Sequence, residues 1–217
     1  LTIGERGVLG LYVYGGEEFS SIDILAPSFL GFIAMAFAFI ISGVMFLRER
    51  LLGTLERLLA SPATQAEIVL GYLLAFLTVA TVQSSLIVLT VLPFSTRILE
   101  SILQVYALVL LLAAGSVSLS IFLSSYVKTE LQVAQMMPIY IVPQVFLSGL
   151  VFSVRTLPAF IRPIAYLMPL TYYVEAVKDA VFAKAAIQDL LPQIVALAVY
   201  FALGVALGVL KFRRDLH

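Results

Sequence analysis

Side chains able to do chemistry are few in this sequence and sit in a handful of places. Histidine occurs once, as the terminal His217, and cysteine does not occur, so thiolate nucleophiles, thiolate metal sites and disulfide scaffolds are excluded. There is no GxxxxGK[ST] phosphate loop, no HExxH pair and no GxSxG elbow. The chain therefore lacks the residues for nucleotide hydrolysis by a phosphate loop and for two common hydrolytic chemistries. An intramembrane serine hydrolase would need a histidine or lysine to activate one of the many serines in the apolar segments, and none lies there. The reading is a non-enzyme with no catalytic residue, no metal site and no cofactor of its own.

The densest group of charges is RERLLGTLERLLASP, Arg48 to Pro62. At about 100° per residue, Leu51, Leu52, Leu55, Leu58 and Leu59 fall on one face and Glu49, Arg50, Glu56 and Arg57 on the other, with Pro62 stopping the turn. The spacing predicts one amphipathic helix over 48–62. None of its charges meets an opposite charge three or four residues on, which leaves them for another protein. A helix lying at the bilayer surface has the same pattern.

The elements that hold this loop are apolar. Hydrophobic residues are 62% of the 217, against roughly 45–50% in a globular chain, and charged residues are 12%, against about 25%. So few polar side chains cannot cover a water-facing surface. Thirteen basic and thirteen acidic residues cancel, which leaves no footprint for nucleic acid, so lipid is the expected surroundings. A helix needs about 20 apolar residues to cross a bilayer. Uncharged stretches at 25–47, 68–92, 102–127, 131–154 and 190–210 meet that length. The expected fold is an all-α polytopic membrane protein with five transmembrane helices. The fourth stretch carries Gln132, Gln135, Gln144, Pro138 and Pro143 and is expected to kink; Gly204 and Gly208 in the fifth form a ridge for close helix approach.

Basic residues beside span ends set orientation. Lys211, Arg213 and Arg214 put the C-terminus in the cytoplasm, and with it Arg48, Arg50, Arg57 and Lys128. Residues 1–24 are then an external lead-in. Because the chain opens at Leu1 and the span count is odd, a preceding sixth span is expected in a longer parent.

The charged RER, then GTLERLLASP, then Gly71 opening the next helix, all directly after an uncharged span, resemble the permease subunits of the type-2 ATP-binding-cassette exporter family (ABC-2 type). The likeness continues into LPAFIRPIAYLMPLTYYVEAVKDAVF. It implies a permease that forms the membrane pathway as a homo- or heterodimer in a prokaryotic inner membrane. The motor would be a separate cytoplasmic ATPase that carries the ATP and magnesium. Arg48, Glu49, Arg50, Gly53, Thr54, Leu55, Glu56 and Arg57 then sit on the coupling element. Residues 156–184, broken by Pro158, Pro163 and Pro169, are expected as short external re-entrant or interfacial helices that include Tyr172 and the facing pair Glu175 and Lys178.

Gln135, Tyr140 and Gln144 flank the two prolines of the fourth stretch and are the pathway candidates, whereas Ser116, Ser118, Ser120, Ser124 and Ser125 read as helix packing. The absence of Asp, Glu, Lys or Arg inside the stretches argues against ion-coupled transport. The competing assignment from another class is a non-transporting membrane scaffold or assembly subunit.

Overall fold

The computed structural model describes residues 21–91, 96–151 and 153–214; of the lead-in expected over 1–24, residues 1–20 lie outside them and 21–24 are the first turn of a helix, and His217 also lies outside. The described residues form helices joined by short turns and loops, with no strand among them. In chain order they form α1 (Ser21–Leu51), α2 (Thr54–Leu59), α3 (Gln65–Val91), α4 (Thr96–Glu100), α5 (Ile102–Ser124), α6 (Glu130–Leu147), a 3-10 turn (Val154–Thr156), α7 (Arg162–Ala165), α8 (Pro169–Phe182) and α9 (Leu191–Arg214).

Four of these helices are long and apolar enough to cross a membrane: Leu25–Leu51, Ala66–Val91, Ile102–Ser124 and Leu191–Lys211. They differ in burial. In α1 and α5, 61% of the span window is buried, against 22% in α3 and 17% in α9. The first pair is thus the centre of the bundle, and the second presents most of its side chains outward. Helices that meet in lipid gain nothing from hiding apolar surface, so close approach must come from small residues and hydrogen bonds. Gly43 of α1 lies so near α5 that a Cβ there would be 2.6 Å from Ser120 Oγ, and Ser120 donates across to the Phe39 carbonyl. Gly115 of α5 leaves room for the Tyr200 ring, and Gly204 of α9 sits against Ser118 with the Leu119 amide next to it. Gly204 therefore serves the predicted ridge, while Gly208 meets nothing nearer than Val69 Cγ1 at 3.9 Å. In α3, Gln83 Nε2 donates to the Ala34 carbonyl (3.1 Å) and Ser85 shares a hydrogen bond with the Tyr106 hydroxyl (2.8 Å), which ties α3 to α1 and α5.

Two predicted elements come out differently. The fourth stretch, expected to span over 131–154, forms α6 and stops at Leu147; it is not among the four span-like helices. Its glutamines and prolines dilute the apolar run. Beyond it the chain turns at Gly149, whose φ of 84° suits a residue without a Cβ. The helix expected as one rod over 48–62 is two pieces. α1 continues through Leu51, the backbone goes left-handed at Gly53 (φ 71°), and α2 restarts at Thr54. This break rotates the two halves of the leucine face apart. Leu55 is buried, but Leu51 and Leu52 are 61% and 72% exposed.

Candidate functional site

The candidate residues divide between the two ends of the long central helix and the seam of α6 that runs between them. At the C-terminal end of α1, Arg48 makes a two-pronged ion pair with Glu130 at the start of α6, Nε to Oε1 at 2.6 Å and Nη2 to Oε2 at 3.1 Å. That hydrogen bond and charge hold the Glu130 carboxyl below the usual carboxylate range. Arg50 points inward, and its Nη1 donates at 2.9 Å to the Ser124 carbonyl at the C-terminal end of α5, which also accepts from the Val127 amide at 3.4 Å. Lys211 of α9 lies 4.9 Å above the Tyr126 ring. Thr129 caps α6 by accepting from the Gln132 amide. The turn between α5 and α6 is thus clasped from α1 and α9.

These contacts change the picture drawn from the sequence. Arg48 and Arg50 were expected to be open to another protein, yet both are engaged within the chain, because α1 runs on through Leu51 before the Gly53 break and holds them in its last turn beside the α5–α6 turn. Glu56 and Arg57, on α2, are exposed. α2 itself hangs between two fixed points. One is the Gly53 turn. The other is the start of α3, where the Thr64 amide donates to Glu67 Oε2 (2.7 Å) and the Glu67 amide to Thr64 Oγ1 (3.3 Å), a reciprocal cap.

At the opposite end, α8 is wedged among α1, α5 and α9. Tyr173 donates its hydroxyl to the Pro27 carbonyl at 2.8 Å, and its ring occupies the space that a side chain on Gly31 would need. Ser101 and Gln104 donate to the Ala180 and Ala185 carbonyls. Of the residues expected on external helices, Pro169 opens α8 and is buried, and Tyr172 donates to the Tyr166 carbonyl. Lys178 donates to the Gly149 carbonyl at 3.0 Å. Burial, and then the neighbouring Asp179, pushes the Glu175 carboxyl up; burial pushes the Lys178 amine down. Burial also raises the Asp179 carboxyl.

The three pathway candidates separate. Gln135 is exposed, on a face shared with Leu131, Ile139, Val142 and Phe146. Tyr140 instead turns into the bundle, where it stacks on Phe39 with ring centroids 4.3 Å apart and meets Ser116 Oγ (3.2 Å) and the Tyr200 hydroxyl (3.4 Å). Gln144 is fully buried, and its Oε1 accepts from the Leu170 amide in the first turn of α8 at 3.2 Å. Ser148, one turn further along the same face, is also fully buried and was missed in the sequence reading. The spacing of four between Tyr140, Gln144 and Ser148 is the signal that marks it. The span serines act in packing as expected, Ser116 and Ser118 donating to the Leu112 and Gly115 carbonyls. An apolar groove of about 530 Å³ lies between α1 and α3, lined in part by Phe37, Val82 and Leu86. Among the described residues, no cluster of three His, Asp or Glu side chains is placed to hold a metal.

Known proteins resemble the chain over most of its length. The family model described as ABC-2 type transporter matches residues 7–182. ABC transporter G family member 20 of Dictyostelium discoideum is 29% identical over 168 residues, 77% of this chain and 23% of that one. The probable multidrug ABC transporter permease YbhR of Escherichia coli is 25% identical over 76% of this chain and 45% of its own length. The inner membrane transport permease YhhJ of the same organism is 25% identical over 82% of this chain and 48% of its own. The chain thus spans less than half the length of these relatives.

Proposed function

The chain belongs to the ABC-2 type transporter family, and on that premise we propose that it is the permease part of an ATP-driven exporter, worked by a separate cytoplasmic ATPase that binds the ATP and magnesium. The observation that carries this reading is the short α2, held at both ends and presenting the exposed Glu56 and Arg57 beyond the membrane-crossing helices. A motor that grips α2 pulls on Gly53 and hence on α1, the most buried helix with α5. In this account Glu56 and Arg57 are the docking charges. Arg48 and Arg50 act one step inward, passing the movement to α6 and to the turn before it. Glu49, Gly53, Thr54 and Leu55 shape and seat the element.

The exposed stripe of α6 with Gln135 is the surface on which a second permease subunit packs, homologous or identical, and Gln135 faces the pathway between the two. α6 then serves as a further, shorter span. The α8 end faces outward, with Phe160, Ile164 and Leu167, exposed at 78%, 47% and 73%, resting in the outer headgroup layer. The Lys211 end is cytoplasmic, and the protein resides in a bacterial inner membrane.

The absence of cysteine makes the test clean. Glu56→Ala with Arg57→Ala leaves membrane insertion intact and abolishes both transport and cargo-stimulated ATP hydrolysis by the co-purified partner. A single Arg57→Cys is labelled by an impermeant thiol reagent in inverted vesicles and not in intact cells. Normal transport by the double variant, or labelling from outside, sinks the proposal.

A further inference from the structure

Three fully buried side chains in the angle between α1, α6 and the first turn of α8 carry hydrogen-bonding atoms that pair with no group among the described residues: Ser28 Oγ, Gln144 Nε2 and Ser148 Oγ. Buried polar groups without partners are rare in native proteins, and three close together call for a common explanation.

That they are close follows from contacts on every side. α1 and α6 run antiparallel, with Arg48 paired to Glu130 at one end and Phe39 stacked on Tyr140 midway. The same register carried onward brings Ser148 within about one helical turn of Ser28. The first turn of α8 fills the angle between them. Its Tyr173 reaches Pro27 and covers Gly31 on α1, its Leu170 amide donates to Gln144 Oε1 on α6, and Val174 lies against Gly149. On the α6 side, Tyr140, Gln144 and Ser148 share one face. The Gln144 side chain also lies close to the Tyr140 hydroxyl, and its amide nitrogen has no partner in full hydrogen-bond geometry among the described residues.

We propose that this angle is a binding site for a hydroxyl group. The unmet atoms are one amide donor and two serine hydroxyls that both donate and accept, which is the complement of a group that itself does both. An anion does not fit, because the Leu170 amide, the donor a helix start would offer it, is already taken by Gln144 Oε1. A cation does not fit either, since the unmet atoms include no carboxylate and one of them, the Gln144 nitrogen, is a donor. The hydroxyl has two sources, a resident water or an alcohol group on amphiphilic cargo. The cargo source rests on the permease reading above, and the water source does not.

Radiolytic footprinting in ¹⁸O-water tests the site on the whole protein in lipid nanodiscs, because radicals formed at a bound hydroxyl oxidise neighbours that bulk solvent cannot reach. Leu170 and Leu112 are matched leucines, both 0% exposed, the first beside the site and the second deep in α5. The expected result is oxidation of Leu170 with Leu112 silent, loss of the Leu170 label in Ser28→Ala with Ser148→Ala, and its retention in Ser148→Thr. Decanol that removes the label where decane does not assigns the site to cargo alcohols; a label that persists with decanol assigns it to resident water. A Leu170 as silent as Leu112 in the native protein overturns the proposal, even if the double variant does not insert. So does a label unchanged in an inserted double variant. Neither result bears on whether the ATPase co-purifies.

Discussion

Replacing Gly31 with alanine places a methyl group inside the Tyr173 ring, which is itself completely buried and pinned by its hydroxyl to the Pro27 carbonyl. The ring cannot swing aside without breaking that bond, and α1 cannot retreat without loosening its contacts with α5 and α6. Overpacking of this kind costs roughly 1–3 kcal/mol, and loss of the tyrosine hydrogen bond adds about 1 kcal/mol. On the scale of a chain this size, where 1 kcal/mol moves the midpoint by roughly 2–4 °C, a loss near 3 kcal/mol lowers it by about 6–12 °C. The assay is the fraction of monodisperse protein left after heating, followed on a fluorescent fusion. The same substitution is made in a Tyr173→Ala background, where the ring is gone and a cavity of its own cost remains. There the added penalty of Gly31→Ala falls to within about 0.5 kcal/mol of zero, because the two residues act only through each other. Equal penalties in the two backgrounds would refute the claim that α8 is seated on α1 by this contact.

Other substitutions test the remaining contacts. Gly204→Ala forces α9 off α5 at Ser118 and lowers the melting midpoint, whereas Gly208→Ala, with its nearest neighbour at 3.9 Å, leaves it unchanged; similar midpoints for the two would contradict the packing described. Arg50→Ala destabilises more than Arg48→Ala, since the Arg50 bond to the Ser124 carbonyl is part-buried while the Arg48 and Glu130 side chains are 61% and 48% exposed; thermal melts of the pair at physiological salt check the order. Glu175 has its carboxyl pushed up by burial, so the folded state holds that proton more tightly than the unfolded chain, and stability falls as pH rises through and above the ordinary carboxylate range. Glu175→Gln is therefore expected to melt higher than the native protein at neutral pH and at the same temperature in acid. Melting curves across that range decide it, and a native-like pH profile in the variant contradicts it.

Much of this protein was legible in its residues. The positions of α1, α3, α5 and α9 follow from hydrocarbon thickness and the lengths of the uncharged runs, a one-dimensional requirement that needs no knowledge of neighbours. Removal of thiols, histidine and phosphate-loop residues from the chemistry likewise needed only the sequence. So did the motif from Arg48 to Pro62 that places the chain in its family.

Facing was not legible. A helix apolar on every side carries no stripe to say which residues turn inward, so Gln135, Tyr140 and Gln144 looked alike in sequence although the first is exposed, the second half-buried and the third fully buried. The coupling loop failed as a wheel for a related reason. A single left-handed residue, Gly53, resets the rotation, and a wheel drawn at a constant 100° per residue cannot show it. Arg48 and Arg50 likewise find their partners more than 70 residues away, at Glu130 and Ser124. Composition and run length marked the four helices that are long and apolar enough to cross a membrane and took in the shorter α6 as a fifth; only the packing of the helices decided which polar groups meet.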